Sequence, residues 1–127
     1  MKLYKIALFS IAIIFSVNAF ALNLKEKTSE SFAYYYYQKK NYKRAIEEYK
    51  NIIKENPRNL KARYNLACLY VLTKDYSSSI KEFKKIIKVQ SPLKKDALYN
   101  LSVVYGKYLK DKKSASQYYA RFKKIQK

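Results

Sequence analysis

The chain has 127 residues, 28 of them basic and 9 acidic, for a formal net charge of +19, with no histidine, one glycine and one cysteine. That inventory removes the commonest general base and metal ligand, any glycine-rich phosphate loop and internal disulfide stapling. What remains is a basic chain with 15 tyrosines and no tryptophan, of a length that suits one small domain.

Residues 1–21 differ in kind from the rest. Lys2 and Lys5 make a positive start, Ile6 to Val17 is apolar apart from serines, and Ala19-Phe20-Ala21 puts small residues where a signal peptidase needs them. The apolar run is too short to span a bilayer comfortably. The expectation is an export signal cleaved before Leu22, giving a periplasmic or extracellular protein. The alternative is an uncleaved anchor in the inner membrane. No cysteine lies near the cleavage site, which argues against a lipid anchor. Without Lys2 and Lys5 the remaining chain keeps 26 basic against 9 acidic residues, net +17.

The rest of the chain reads as helices. The first is expected from about Thr28 to Lys39, capped by Thr28 or Ser29. Tyr34 to Tyr37 favour a strand by propensity, but Phe32, Ala33 and Tyr36 keep a helical step. Lys40-Asn41 turns the chain into a helix from Tyr42 to Glu55, which Asn56-Pro57-Arg58-Asn59 ends. Helices follow near 60–73 and 76–89, then near 93–109 and 112–124. Gly106 falls inside the fifth, where a bend or close packing would explain it and a tolerated defect fits equally well.

These helices repeat. At a shift of 34 residues, Tyr42, Ile46, Tyr49, Ile52 and Ile53 fall on Tyr76, Ile80, Phe83, Ile86 and Ile87, while Phe32, Ala33 and Tyr36 fall on Leu66, Ala67 and Tyr70. At 35, Tyr64-Asn65-Leu66 falls on Tyr99-Asn100-Leu101 and Tyr70 on Tyr105; the last turn is one residue longer. Helices of about 14 residues are marginal alone, so their apolar stripes must be buried against one another. A fixed period of this size signals a helical solenoid. The fold class expected is all-α, six helices in stacked right-handed hairpins, with repeats at about 26–59, 60–94 and 95–127.

The pattern resembles the tetratricopeptide repeat. The first unit supplies Phe32, Ala33, Tyr36, Ala45, Tyr49 and Pro57; the second Leu66, Ala67, Tyr70, Phe83 and Pro92, with Ser79 where Ala is usual; the third Leu101, Ser102, Tyr105, Ala115 and Tyr119. The family's early Trp is replaced by Ser29, Arg63 and Leu98.

The resemblance implies a concave groove, lined by the first helices of the repeats, that holds a peptide or a partner helix. Its positions here are Tyr34, Tyr37, Tyr64, Asn65, Cys68, Val71, Tyr99, Asn100 and Val103, flanked by Glu30, Leu72, Asp96 and Lys107. Tyrosines supply broad contact at low entropic cost, and the two amides can hold peptide groups. Members that clamp a carboxylate-ended tail need Lys, Arg and Asn in the groove. Only Asn65 matches, and Glu30 and Asp96 are acidic, which excludes that mode. Cys68 reads as a small apolar filler.

The functional expectation is therefore a non-enzymatic scaffold of the bacterial envelope that binds a protein partner in a tyrosine-lined groove, with no catalytic residues, metal or cofactor. The alternative is an electrostatic binder of an anionic envelope polymer or of lipid head groups through the lysine-rich face. The export signal argues against nucleic acid. The final helix needs a polar outer face, so either its lysines cap the stack or it pairs with another chain as a homo-oligomer.

Overall fold

The computed structural model describes residues 2–125, and among them there is no strand. Six α-helices follow in order: α1 (Lys2–Gln38), α2 (Tyr42–Glu55), α3 (Leu60–Leu72), α4 (Tyr76–Ile87), α5 (Leu93–Val103) and α6 (Lys112–Ile125), with one π-helical segment, Val104–Tyr108, directly after α5. α1 pairs with α2, α3 with α4, and α5 with α6 as antiparallel hairpins. α2 then packs on α3 and α4 on α5, which joins the hairpins in chain order along the stack. This is the all-α hairpin solenoid that the periodicity demands.

α1 corrects one expectation. It does not begin at a cap near Thr28 but is continuous from Lys2. Leu22 to Lys27 contains no Gly or Pro to stop it and is rich in Leu, Lys and Glu, all good helix formers. Thr28 Oγ1 and Ser29 Oγ accordingly donate back to the carbonyls of Leu24 and Lys25, at 2.8 and 3.0 Å, instead of capping amides.

The turn inside each hairpin has one design. Lys40, Lys74 and Lys110 each sit at positive φ, between 57 and 64°. In the first two turns the next amide closes on the helix behind it, Asn41 N–H to Tyr36 O at 2.9 Å and Asp75 N–H to Tyr70 O at 2.8 Å. Asn41, Asp75 and Asp111 then accept the amides of Arg44, Ser78 and Ser114 and so start the next helix. The extra residue of the third unit does not lengthen this turn. It is absorbed upstream as the π-helical segment, with Leu109 N–H reaching Val104 O at 3.1 Å and Asp111 N–H reaching Tyr105 O at 2.8 Å. Gly106 lies in that segment, where an added Cβ would stand 3.2 Å from the Cβ of Ala115, so close packing against α6 explains the glycine.

Two apolar clusters form the core, one per junction. Ala45, Tyr49 and Ile52 of α2 meet Ala62, Leu66 and Leu69 of α3. Phe83, Ile86 and Ile87 of α4 meet Ala97, Leu98 and Leu101 of α5, with Tyr105, Tyr118 and Phe122 against them. Phe32, expected in the stack like its counterparts Leu66 and Leu101, is exposed instead, because its face of α1 has no helix against it. A polar clasp fixes the first junction: Glu26 accepts from the amides of both Asn56 and Asn59, and Glu30 from Asn59 and Lys61, the last at 3.1 Å.

Candidate functional site

Stacking hairpins of this kind leaves a hollow where the first helices of adjacent units diverge. Between α1 and α3 that hollow has a volume of about 580 Å³. Tyr34 and Tyr37 form one wall from α1, their ring centroids 6.1 Å apart. One helical turn separates them, so both face the same side. Asn65, Cys68 and Leu72 come from α3 at three- and four-residue steps, joined by Leu69 and, at the mouth, Lys61. Tyr49 reaches in from α2 to make the floor.

The polar groups here are already organised. Asn65 Nδ2 donates to the Tyr49 hydroxyl at 3.2 Å, so that amide N–H is engaged by the protein itself. Burial pushes the Tyr49 hydroxyl above the usual tyrosine range, and the Asn65 bond only partly offsets this. Burial also raises the Cys68 thiol to about 11, against a smaller opposing pull from Tyr64. Cys68 is thus a neutral, half-buried thiol rather than an activated nucleophile. Lys61 is paired with Glu30, which leaves the hollow an aromatic and apolar interior with a neutralised rim.

A second, shallower hollow of about 270 Å³ lies between α3, α5 and α6, lined by Tyr64, Lys95, Asp96, Tyr99, Asn100 and Phe122. Asn100 Nδ2 donates to the Tyr64 hydroxyl at 2.9 Å. Tyr99 lies 5.4 Å from the Phe122 ring. Tyr64 is shared with the core, edge-on to Phe83 at 5.7 Å, and burial raises its hydroxyl too.

The expected positions therefore divide. Tyr34, Tyr37, Asn65 and Cys68 come together in the first hollow, and Tyr64, Tyr99 and Asn100 in the second. Val71 and Val103 line neither; Val71 packs against the second core cluster. Cys68, three residues before Val71, packs against the same cluster while also lining the first hollow. Tyr49, Lys61, Leu69, Lys95 and Phe122 are additions that only the fold brings in. Tyr49 is hidden from sequence reasoning because it fills the aromatic position of a second helix, which reads as core. It is core at its ring and groove at its hydroxyl. Among the described residues no three acidic or thiol side chains converge as metal ligands would.

The arrangement offers aromatic contact and hydrogen-bonding amides rather than a reactive pair. A family profile described as tetratricopeptide repeat matches residues 36–105, more than half of the chain, and a second of the same description matches residues 96–125. No curated protein matches the sequence.

Proposed function

Because this chain belongs to the tetratricopeptide repeat family, whose repeats generally mediate protein–protein interaction without catalysis, we propose that it is an envelope scaffold that holds a peptide or partner helix against its tyrosine-lined hollows. The observation that carries this reading is the convergence of Tyr34, Tyr37, Asn65 and Cys68, from two separate helices, on one hollow of about 580 Å³. Tyr34 and Tyr37 keep about half of their surface open to a guest. Rigid aromatic rings on a helical frame lose little entropy on binding. The second hollow extends the contact line toward unit three. Export rests on the pattern of residues 1–21, and the mature chain begins at Leu22 in this reading.

The test is photocrosslinking in living cells from a benzophenone amino acid at Tyr37, with a matched probe at Lys81 on the far side of α4. A discrete adduct from position 37 that is absent from position 81, and that disappears with Leu72→Asp, is the expected result. Identical adducts from both positions would remove the groove. Amino-terminal sequencing of the protein recovered from the envelope checks the leader, with Leu22 the expected first residue.

A second reading, attraction to an anionic polymer or lipid surface, has one observation in its favour. Six of the nine carboxylates are already engaged: Glu26, Glu30, Glu55 and Glu82 by neighbouring side chains, and Asp75 and Asp111 as helix caps. The cationic excess therefore faces solvent largely uncompensated. Binding of this kind falls steeply between 50 and about 500 mM salt, and a salt-indifferent interaction would remove it.

A further inference from the structure

One face of α1 breaks the periodicity that the other units obey. In unit two, Ala62, Leu66 and Leu69 are 0 to 3% exposed, and in unit three Ala97, Leu101 and Val104 are 0 to 1% exposed. Their counterparts in unit one are Thr28, Phe32 and Tyr35. Thr28 is exposed, and Phe32 and Tyr35 keep 55 and 51% of their surface. The same helix positions thus carry two rings to solvent where the inner units carry buried aliphatics. Together with Leu24, Lys27 and Ser31 they line a shallow hollow of about 480 Å³, separate from both hollows described above.

The molecule itself displays what fits such a face. Across the first junction it is α2, which presents Tyr49 and Ile52 three positions apart to Leu66 and Leu69. Across the second it is α4, which presents Phe83 and Ile86 to Leu101. In a solenoid each such interface is a nearest-neighbour unit, so a like face accepts a like helix. The charge around it selects further. Lys27 lines the hollow, Lys39 Nζ sits 5.8 Å from the Tyr35 ring centre, and none of the lining residues is acidic.

We propose that the outer face of α1 docks an amphipathic helix of a partner protein that carries an aromatic residue and an isoleucine three positions apart, with acidic flanks. A second copy of this chain fits less well. Its α6 offers Tyr119 and Phe122 at the right spacing, but it places Lys123 where Ile53 and Ile87 stand and surrounds the pair with Arg121 and Lys124. Like charges would then meet Lys27 and Lys39. The face is independent of the groove, and both can be occupied at once.

The probe is a fluorescein-labelled peptide of residues 42–55, held helical by a lactam between Glu47 and a lysine replacing Asn51, with Lys43, Arg44, Lys50 and Lys54 each changed to Glu. It is titrated with the chain as recovered from the envelope by fluorescence anisotropy. Saturable binding is expected, weakened at least tenfold by Phe32→Asp or Tyr35→Asp and unchanged by Tyr37→Ala. Both substituted positions are exposed, so circular dichroism and the unfolding midpoint should not move. The same peptide with its four cations restored should bind at least tenfold more weakly. No saturation, or binding indifferent to Phe32→Asp, overturns the site. Loss with Tyr37→Ala alone places the peptide in the groove and overturns the site while leaving the groove reading intact. Equal binding of the cationic peptide overturns the acidic partner. Self-association in sedimentation that Phe32→Asp abolishes assigns the face to a second copy and overturns the partner helix.

Discussion

Arg63 and Glu82 form a buried ion pair that ties α3 to α4. The guanidinium also donates to the Pro57 carbonyl at 3.0 Å, and Lys85 donates to the second carboxylate oxygen at 2.9 Å. Arg63 occupies the place where the family has a tryptophan, so a charged pair spans a gap that an indole would fill. Removing Arg63 leaves the buried Glu82 carboxylate with only the half-exposed Lys85 as counterion, which costs about 3 kcal/mol, the low end of the range for breaking a buried pair. Arg63→Ala should therefore lower urea stability by that amount, whereas Arg63→Met combined with Glu82→Leu should come within about 1 kcal/mol of the parent, because both charges leave together. A loss below about 1 kcal/mol for Arg63→Ala would contradict the account.

Ser79 carries the opposite situation. Its side chain is fully buried and its hydroxyl has no hydrogen-bond partner among the described residues. Unit one has Ala45 at the same position, equally buried. Ser79→Ala should stabilise the chain by about 1 kcal/mol, since an unsatisfied buried hydroxyl is worth roughly 1–3 kcal/mol and the cavity left behind is small. The thermal midpoint is the readout, and a fall in it would show that the hydroxyl is engaged.

The three turn lysines hold a left-handed backbone at a cost. A side chain at positive φ loses roughly 1–2 kcal/mol, partly offset by the roughly 0.5–1 kcal/mol of extra chain entropy that glycine brings to the unfolded state. Lys74→Gly, at φ 64°, should thus gain up to about 1 kcal/mol, and Lys40→Gly and Lys110→Gly similarly. Lys74→Val should lose more than the glycine gains, because β-branching is worst in that region. Chemical denaturation of the set checks both signs.

Cys68 gives a prediction in pH. Its folded thiol is raised to about 11 from the ordinary 9.0, chiefly by burial. Reaction with a disulfide reagent at pH 7.5 should run far slower than that of a free thiol and climb until pH reaches about 11. The sign for stability follows from linkage. Between 9.0 and about 11 the unfolded chain has released the proton and the folded chain keeps it, so stability falls as pH rises through this window. Tyr49 and Tyr64, raised mainly by burial too, act in the same direction. Stability that rises in this window would overturn the assignment of a buried neutral thiol.

Much of this molecule is legible before any coordinates. The 34-residue step links Tyr49 to Phe83 and Leu66 to Leu101, and a step that returns the same apolar residues to the same helical face leaves stacked hairpins as the way to bury them. The turn at Lys40-Asn41 is legible locally, but that Asn41, Asp75 and Asp111 accept the amides three residues on while Thr28 and Ser29 cap nothing is seen only in the fold. The groove positions of Tyr34 and Tyr37 come from the resemblance to the repeat family, and both line the first hollow. Val71 and Val103 line neither hollow, and a helix face about 100° wide includes both groove and flank, which periodicity does not separate.

Local pattern along the chain determines which residues form helices, where hairpins turn and how often they recur, because those depend on contacts within a few residues. Only the packed structure decides that Tyr49 floors the first hollow, that Arg63 finds Glu82, that the added residue of unit three becomes a π-helical segment against Ala115, and that Phe32 is bare while Leu66 and Leu101 are covered. Each of these is set by which helix lies alongside. That depends on distances across the stack, which a one-dimensional period does not contain.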